Sequence, residues 1–241
     1  MNANELITGN LFEFWSHIGR ENKIYAAAPK YQAVYAAGSD WPNRIYAMED
    51  DAENYEAIIA QSRQGTLPPV MALDKRSKLL DYGKLQLRVS LANMSLDLNS
   101  RPTEYTGKEN IHQIGTKAEA AQFADIATES FGYKVDGEIV YNIAKDDRTT
   151  RLFIYRENNT NYGCGIVFFD SKNIAGFHMV GTIPAGRGRG IGKSMTETLI
   201  QEARINGAES CVLNASKMGE PIYLKLGFRA QGLLENYTIL K

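Results

Sequence analysis

The chain has 241 residues, with 27 Lys and Arg against 28 Asp and Glu and a formal net charge of -1. That length allows one large domain or two small ones. The even charge balance argues against a general nucleic-acid binder, which needs excess cations to displace counterions from phosphates.

The N-terminus has no basic, apolar and small-residue leader pattern, and no run of about 20 apolar residues follows. A cytoplasmic protein with no membrane partner is the expectation. Residues 4–20 read as a helix, with Leu6, Leu11, Phe14, Trp15 and Ile18 mostly on one face. Residues 31–36 and 43–48 read as short strands around the turn cluster GSDWPN. Asp50 and Asp51 open a second helix that Gly65 ends, and residues 69–73 and 84–96 read as strands. In the second of these, Leu85, Leu87, Val89 and Leu91 alternate with polar residues, as a half-buried strand requires.

The polar stretch at 98–109, with Pro102 and Gly107, interrupts the pattern and marks a boundary. The expected division is a small α+β domain over 1–105 and a second domain over 106–241. Residues 110–115 read as a strand, 117–131 as a helix and 136–145 as a shorter helix. Two apolar runs, 151–156 and 162–170, flank the turn cluster ENNTN, and 174–183 is a further strand. Residues 191–206 are helical, with Ile191, Met195, Leu199 and Ala203 stacked and Gly207 beyond the end. A strand at 210–214, a short helix at 219–226 and one strand or a pair over 228–240 complete an α/β (α+β) order on a mixed sheet.

Two cysteines, Cys164 and Cys211, make no disulfide framework and no four-ligand zinc site. Both sit in apolar runs and read as small core residues. His17, His112 and His178 are far apart in the chain, so no metal is expected.

The chemistry is concentrated in residues 184–193, PAGRGRGIGK, between a strand and an amphipathic helix. Glycine lets the main chain approach a ligand, and a helix N-terminus presents free N–H groups and partial positive charge. Together with Arg187, Arg189 and Lys193 they make an anion site suited to phosphates. A Walker A loop would need Gly where Arg187 stands, and no register satisfies GxGxxG. A Gly-rich turn that merely caps a helix is the bland alternative. The pattern R-x-x-G-x-G is matched in full by Arg187-Gly188-Arg189-Gly190-Ile191-Gly192.

That pattern resembles the coenzyme A pyrophosphate loop of the GNAT N-acetyltransferase superfamily. Residues 182–184 resemble the family's fourth-strand exit, and 213–216 its fifth strand. Pro221-Ile222-Tyr223-Leu224-Lys225-Leu226-Gly227-Phe228 resembles its late helix and turn. The match runs from about 110 to 240, and the WPNR run at 41–44 resembles tandem members with a degenerate first copy.

The resemblance implies a GNAT-like mixed sheet flanked by helices and acetyl transfer from acetyl-CoA to a primary amine, with no metal. The acceptor would be a small molecule or a peptide. Arg187, Gly188, Arg189, Gly190, Ile191, Gly192 and Lys193 would hold the pyrophosphate. Val180, Gly181 and Thr182 would pair with the pantetheine arm and face the thioester oxygen. Asn214 would bind cofactor or a water, and Tyr223 would be the general acid. Many relatives carry a Glu base on the fourth strand, where this chain has Phe177-His178-Met179, which makes His178 the candidate base, with Glu129 and Glu138 as unplaced alternatives. A non-catalytic acyl-CoA sensor is the rival reading.

Overall fold

The computed structural model describes residues 2–99 and 109–241, so most of the expected boundary stretch lies outside the described residues. The first half contains α1 (Ala3–Glu21), β1 (Tyr25–Ala28), β2 (Tyr31–Val34), β3 (Arg44–Tyr46), α2 (Ala52–Arg63), β4 (Val70–Leu73) and β5 (Leu85–Asp97). The second contains β6 (Ile111–Gln113), α3 (Lys117–Phe131), α4 (Gly137–Ala144), β7 (Thr150–Glu157), β8 (Thr160–Phe169) and β9 (Ala175–Thr182). It continues with α5 (Ile191–Ile205), β10 (Ser210–Ala215), α6 (Glu220–Lys225) and β11 (Arg229–Ile239). Local chemistry sets the helix starts. Asn2 with Glu5 and Thr116 with Glu119 form capping boxes on α1 and α3, while Asp51 and Asp136 cap α2 and α4. The C-terminal segment is one bulged strand, not a pair, and β1 is an element that the sequence pattern did not signal.

Among the described residues, the strands join one 11-stranded sheet in the order β1-β2-β3-β4-β11-β5-β10-β9-β8-β7-β6. β11, the last strand of the second half, lies between β4 and β5 of the first, and β5 lies between β11 and β10. α1, α3 and α4 pack around Phe14, Trp15, Phe123 and Phe168, whereas α5 and α6 pack with Phe177, Leu213 and Phe228. α2 covers Ile45, Met71 and Tyr237.

The first half repeats the topology of the second. β1–β2–β3 and β7–β8–β9 are antiparallel, and each run leads through a helix, α2 or α5, to a parallel neighbour, β4 or β10. An irregularity repeats as well. Ile45 pairs with Met71, and two residues later Ala47 has φ 50. Phe177 pairs with Leu213, and two residues later Met179 has φ 51.

Candidate active site

β9 and β10 are hydrogen-bonded only along Ala175–Phe177 and Cys211–Leu213. Past that point β10 stays with β5 as far as Ala215, and β9 stays with β8 as far as Thr182. Met179 and Val180 together lie opposite the single residue Gly165, because Cys164 pairs with Gly181 and Ile166 with His178. Such a bulge bends its strand. The two parallel strands therefore part into a wedge, with the β9 edge from Met179 to Thr182 on one side and Asn214 and Ala215 on the other.

The Gly-rich loop closes the end of that wedge. Gly188 and Gly190 have φ 76 and 77, and a Cβ on either would meet nothing within 4 Å. These two glycines supply a backbone conformation and an open approach. Gly186 is a packing glycine, whose Cβ would lie 3.0–3.1 Å from Thr182, Ile191 and Tyr162. Gly190 is the N-cap of α5, and Ser194 N–H makes the first bond back to its carbonyl, at 3.0 Å. The preceding N–H groups, on Ile191, Gly192 and Lys193, have no carbonyl within the helix to bond.

The loop cations are already committed in different ways. Arg187 donates from Nε to the Thr182 carbonyl and from Nη2 to the Ser130 carbonyl, both at 3.3 Å, which ties the loop to β9 and α3. Arg189 pairs with Glu157 and lies over the Tyr162 ring at 4.4 Å. Lys193 is 3.5 Å from Glu197. Around Gly192 the strand end, the helix start and α6 converge: its Cβ would lie 3.8 Å from Thr182 Oγ1 and 3.5 Å from Ile222 Cδ1.

The equivalent turn of the first half, 47–51, has no glycine and carries Glu49, Asp50 and Asp51. Asp51 uses its carboxylate to accept from Glu53 N–H at the start of α2 and to pair with Lys30. Asp50 accepts from Tyr55 Oη–H at 3.0 Å. Carboxylates stand there where the second half offers N–H groups and arginines, so a phosphate would be repelled.

Tyr223 lies on α6, 9% exposed, its ring edge-on to Phe228 at 5.8 Å and in one cluster with Val180 and Ile222. Burial pushes its phenol up to about 12. Asn214 is half-buried and donates from Nδ2 to Asn93 Oδ1 at 2.6 Å. The structure thus gathers Val180, Gly181, Thr182, the 187–193 loop, Asn214 and Tyr223 around one wedge.

His178 is placed elsewhere. It is 8% exposed, stacked on Phe14 of α1 at 4.2 Å and 9°, with Nε2 3.1 Å from Asn10 Oδ1. Burial pushes its pKa down to about 3, so it is neutral at pH 7 and a weak proton acceptor. That environment argues against the base role expected of it. A β9 side chain alternates faces, and position 178 falls on the α1 face whereas Phe177 faces α5. Glu129 is exposed, and Glu138 is an exposed carboxylate paired with Lys117 at 2.9 Å. Cys164 and Cys211 are fully buried, and burial raises both thiols. The residues that sequence reasoning missed are Asn4, Asn10 and Asn93, which belong to no motif and lie far from the loop in the chain.

A glycine loop at a helix N-terminus, set beside a wedge between two parallel strands, makes an anion site that opens onto an unpaired strand edge. Residues 148–230 match the family model described as "Acetyltransferase (GNAT) domain". The GNAT acetyltransferase domain that this match defines lies at residues 148–230. The chain is 31% identical over 87 residues to "Glucosamine 6-phosphate N-acetyltransferase" of Trypanosoma brucei brucei, a match covering 34% of this chain and 59% of that protein. The match thus spans little more than half the length of that curated relative.

The fold extends over both halves. A GCN5-related N-acetyltransferase from Kribbella flavida superposes with a TM-score of 0.69 at 13% identity, covering 99% of this chain and 96% of that one. A putative GNAT acetyltransferase from Novosphingobium aromaticivorans gives 0.63 at 15%, covering 95% and 96%. A GCN5-related N-acetyltransferase from Sphaerobacter thermophilus gives 0.59 at 14%, covering 100% and 93%. No described helix is long and apolar enough to cross a membrane.

Proposed function

We propose that the chain is an acetyltransferase that moves the acetyl group of acetyl-CoA to a primary amine by direct attack in a ternary complex. The loop carries this reading: two left-handed glycines open the start of α5 to an anion, and Arg187 anchors the turn. The pyrophosphate would lie on the N–H groups of 188–193. The pantetheine arm would pair with the open β9 edge at Val180, Gly181 and Thr182. Main-chain N–H groups of that edge would face the thioester oxygen and hold the oxyanion of the tetrahedral intermediate.

The amine nitrogen attacks the thioester carbon, the C–S bond breaks, and the thiolate takes a proton from Tyr223. Burial raises the Tyr223 phenol to about 12, so it is protonated at pH 7 and available to donate to the leaving thiolate, and it recovers its proton from solvent. With His178 held neutral under α1, the amine loses its proton to water at the mouth of the wedge.

The relative's amino-sugar phosphate acceptor does not follow for this chain, because the match covers 34% of this chain and 59% of that protein. The deciding experiment is a calorimetric titration with acetyl-CoA followed by thiol release over a panel of primary amines. Binding with release supports the transferase. Binding with no release from any amine would favour an acyl-CoA sensor, and no binding would remove the loop assignment.

A further inference from the structure

Three asparagines form a row that no motif accounts for. Asn214, at the wedge, donates from Nδ2 to Asn93 Oδ1 at 2.6 Å, and Asn93 donates from Nδ2 to Asn4 Oδ1 at 2.7 Å. Asn93 is 0% exposed and sits in β5 directly between Asn214 of β10 and Gly232 of β11. Apolar residues would fill a sheet interior at less cost, since each buried amide must find partners.

The surrounding backbone is built to admit this row. A Cβ on Gly232 would lie 2.1 Å from Asn4 Oδ1, so the glycine is the opening through which Asn4 reaches the sheet. A register shift between Ala230 and Gly232 sets that opening beside the first turn of α1. The capping box fixes the turn itself: Glu5 N–H donates to Asn2 Oδ1 at 2.9 Å, and Asn2 N–H donates to Glu5 Oε2 at 3.0 Å. Farther along α1, Asn10 enters a second opening, where a Cβ on Gly176 would lie 1.8 Å from its Oδ1. Asn10 donates there to Asp170 at 3.0 Å and to the Ile174 carbonyl at 3.1 Å. α1 is pegged to the sheet at both points, so the position of Asn4 is fixed.

Nδ2 of Asn214 is committed to Asn93, which leaves its amide oxygen, without a donor among the described residues, as the polar atom able to meet a ligand. We propose that Asn93 and Asn4, both from the first half, are positioning residues that hold the Asn214 carbonyl at the wedge to accept a hydrogen bond from the attacking amine. The proposal rests on the wedge binding acetyl-CoA. Asn214 takes no proton. Its oxygen fixes one amine N–H and so aims the nitrogen lone pair at the thioester carbon.

The test uses the full chain, acetyl-CoA, and hydroxylamine as the acceptor. Asn93→Leu removes the link, Asn4→Ala removes its anchor, and Asn4→Asp keeps an oxygen that can accept from Asn93. Asn93→Leu is expected to lower kcat/KM for hydroxylamine about tenfold or more, the scale of one positioned hydrogen bond. Asn4→Ala should lower it several-fold and Asn4→Asp should restore it, with the acetyl-CoA Kd unchanged throughout. Equal turnover in Asn4→Ala and Asn4→Asp would overturn the proposal. So would losses of acetyl-CoA affinity and melting temperature that track the loss of turnover. If the parent chain itself fails to bind acetyl-CoA, the underlying reading falls and the proposal with it.

Discussion

His178→Phe tests whether the fourth-strand histidine is a base or a neutral packing group. In the folded chain its pKa is pushed to about 3, against an ordinary value of 6.5. Between those limits the unfolded chain binds a proton that the folded chain refuses, so stability rises with pH and is lost as pH falls from about 6.5 to about 3. The whole gap is worth about 5 kcal/mol, and about 3 kcal/mol of it is lost between pH 7 and pH 4. Phe keeps the stack on Phe14 and removes the titration, at a cost of about 1–3 kcal/mol at pH 7 because Asn10 Oδ1 loses its partner. Urea unfolding at pH 7 and pH 4 reads the difference. With a urea slope of about 2–3 kcal/mol/M, the parent midpoint should fall about 1 M further than that of the variant. His17 is also depressed by burial, but it contributes equally to both proteins and cancels. Parallel losses in parent and variant would refute the buried neutral imidazole. A fall in kcat of about 10²–10⁴-fold, with one limb of the pH–rate profile erased, would restore the base assignment.

Gly190→Glu should abolish acetyl-CoA binding by calorimetry, because it sets a carboxylate at the α5 start and forces a side chain onto φ 77; undiminished affinity would move the phosphate site elsewhere. Tyr223→Phe should lower kcat by about 10²–10⁴-fold while acetyl-CoA affinity changes little, since a positioned acid acts only in the transition state; an unchanged kcat under rate-limiting chemistry would leave the phenol as packing. A fragment starting at residue 109 should fail to unfold cooperatively in urea, because it lacks β5, the ladder partner of both β10 and β11; a cooperative, soluble fragment would show that the second half needs no help.

The glycine loop of the candidate site was legible because its pattern is local. R-x-x-G-x-G is six consecutive residues, and the strand before it and the helix after it are each periodic. The asparagine row was not legible, because its contacts join residues 89 and 121 positions apart through a sheet register that local pattern does not contain. His178 misled for a related reason. Sequence gives the residue type, but α1, more than 160 residues earlier, decides that its ring is buried and neutral. β1 escaped notice because Tyr-Ala-Ala-Ala has no alternation to read. The strand exchange between the halves escaped because pairing partners follow from turn geometry and burial at long range.

The two halves use their equivalent turns differently. The turn at 47–51 caps α2 through Asp51 and ties to Lys30 and Tyr55, with carboxylates in place of a glycine loop. β5 is shared between the halves, since the second half closes its sheet on it at Asn214 and Asn93. α1 is likewise shared, pegged through Gly232 and Gly176 beside the wedge. The first half thus supplies β5 and α1, on which the wedge of the second half rests, and carries carboxylates where the second half carries its glycine loop.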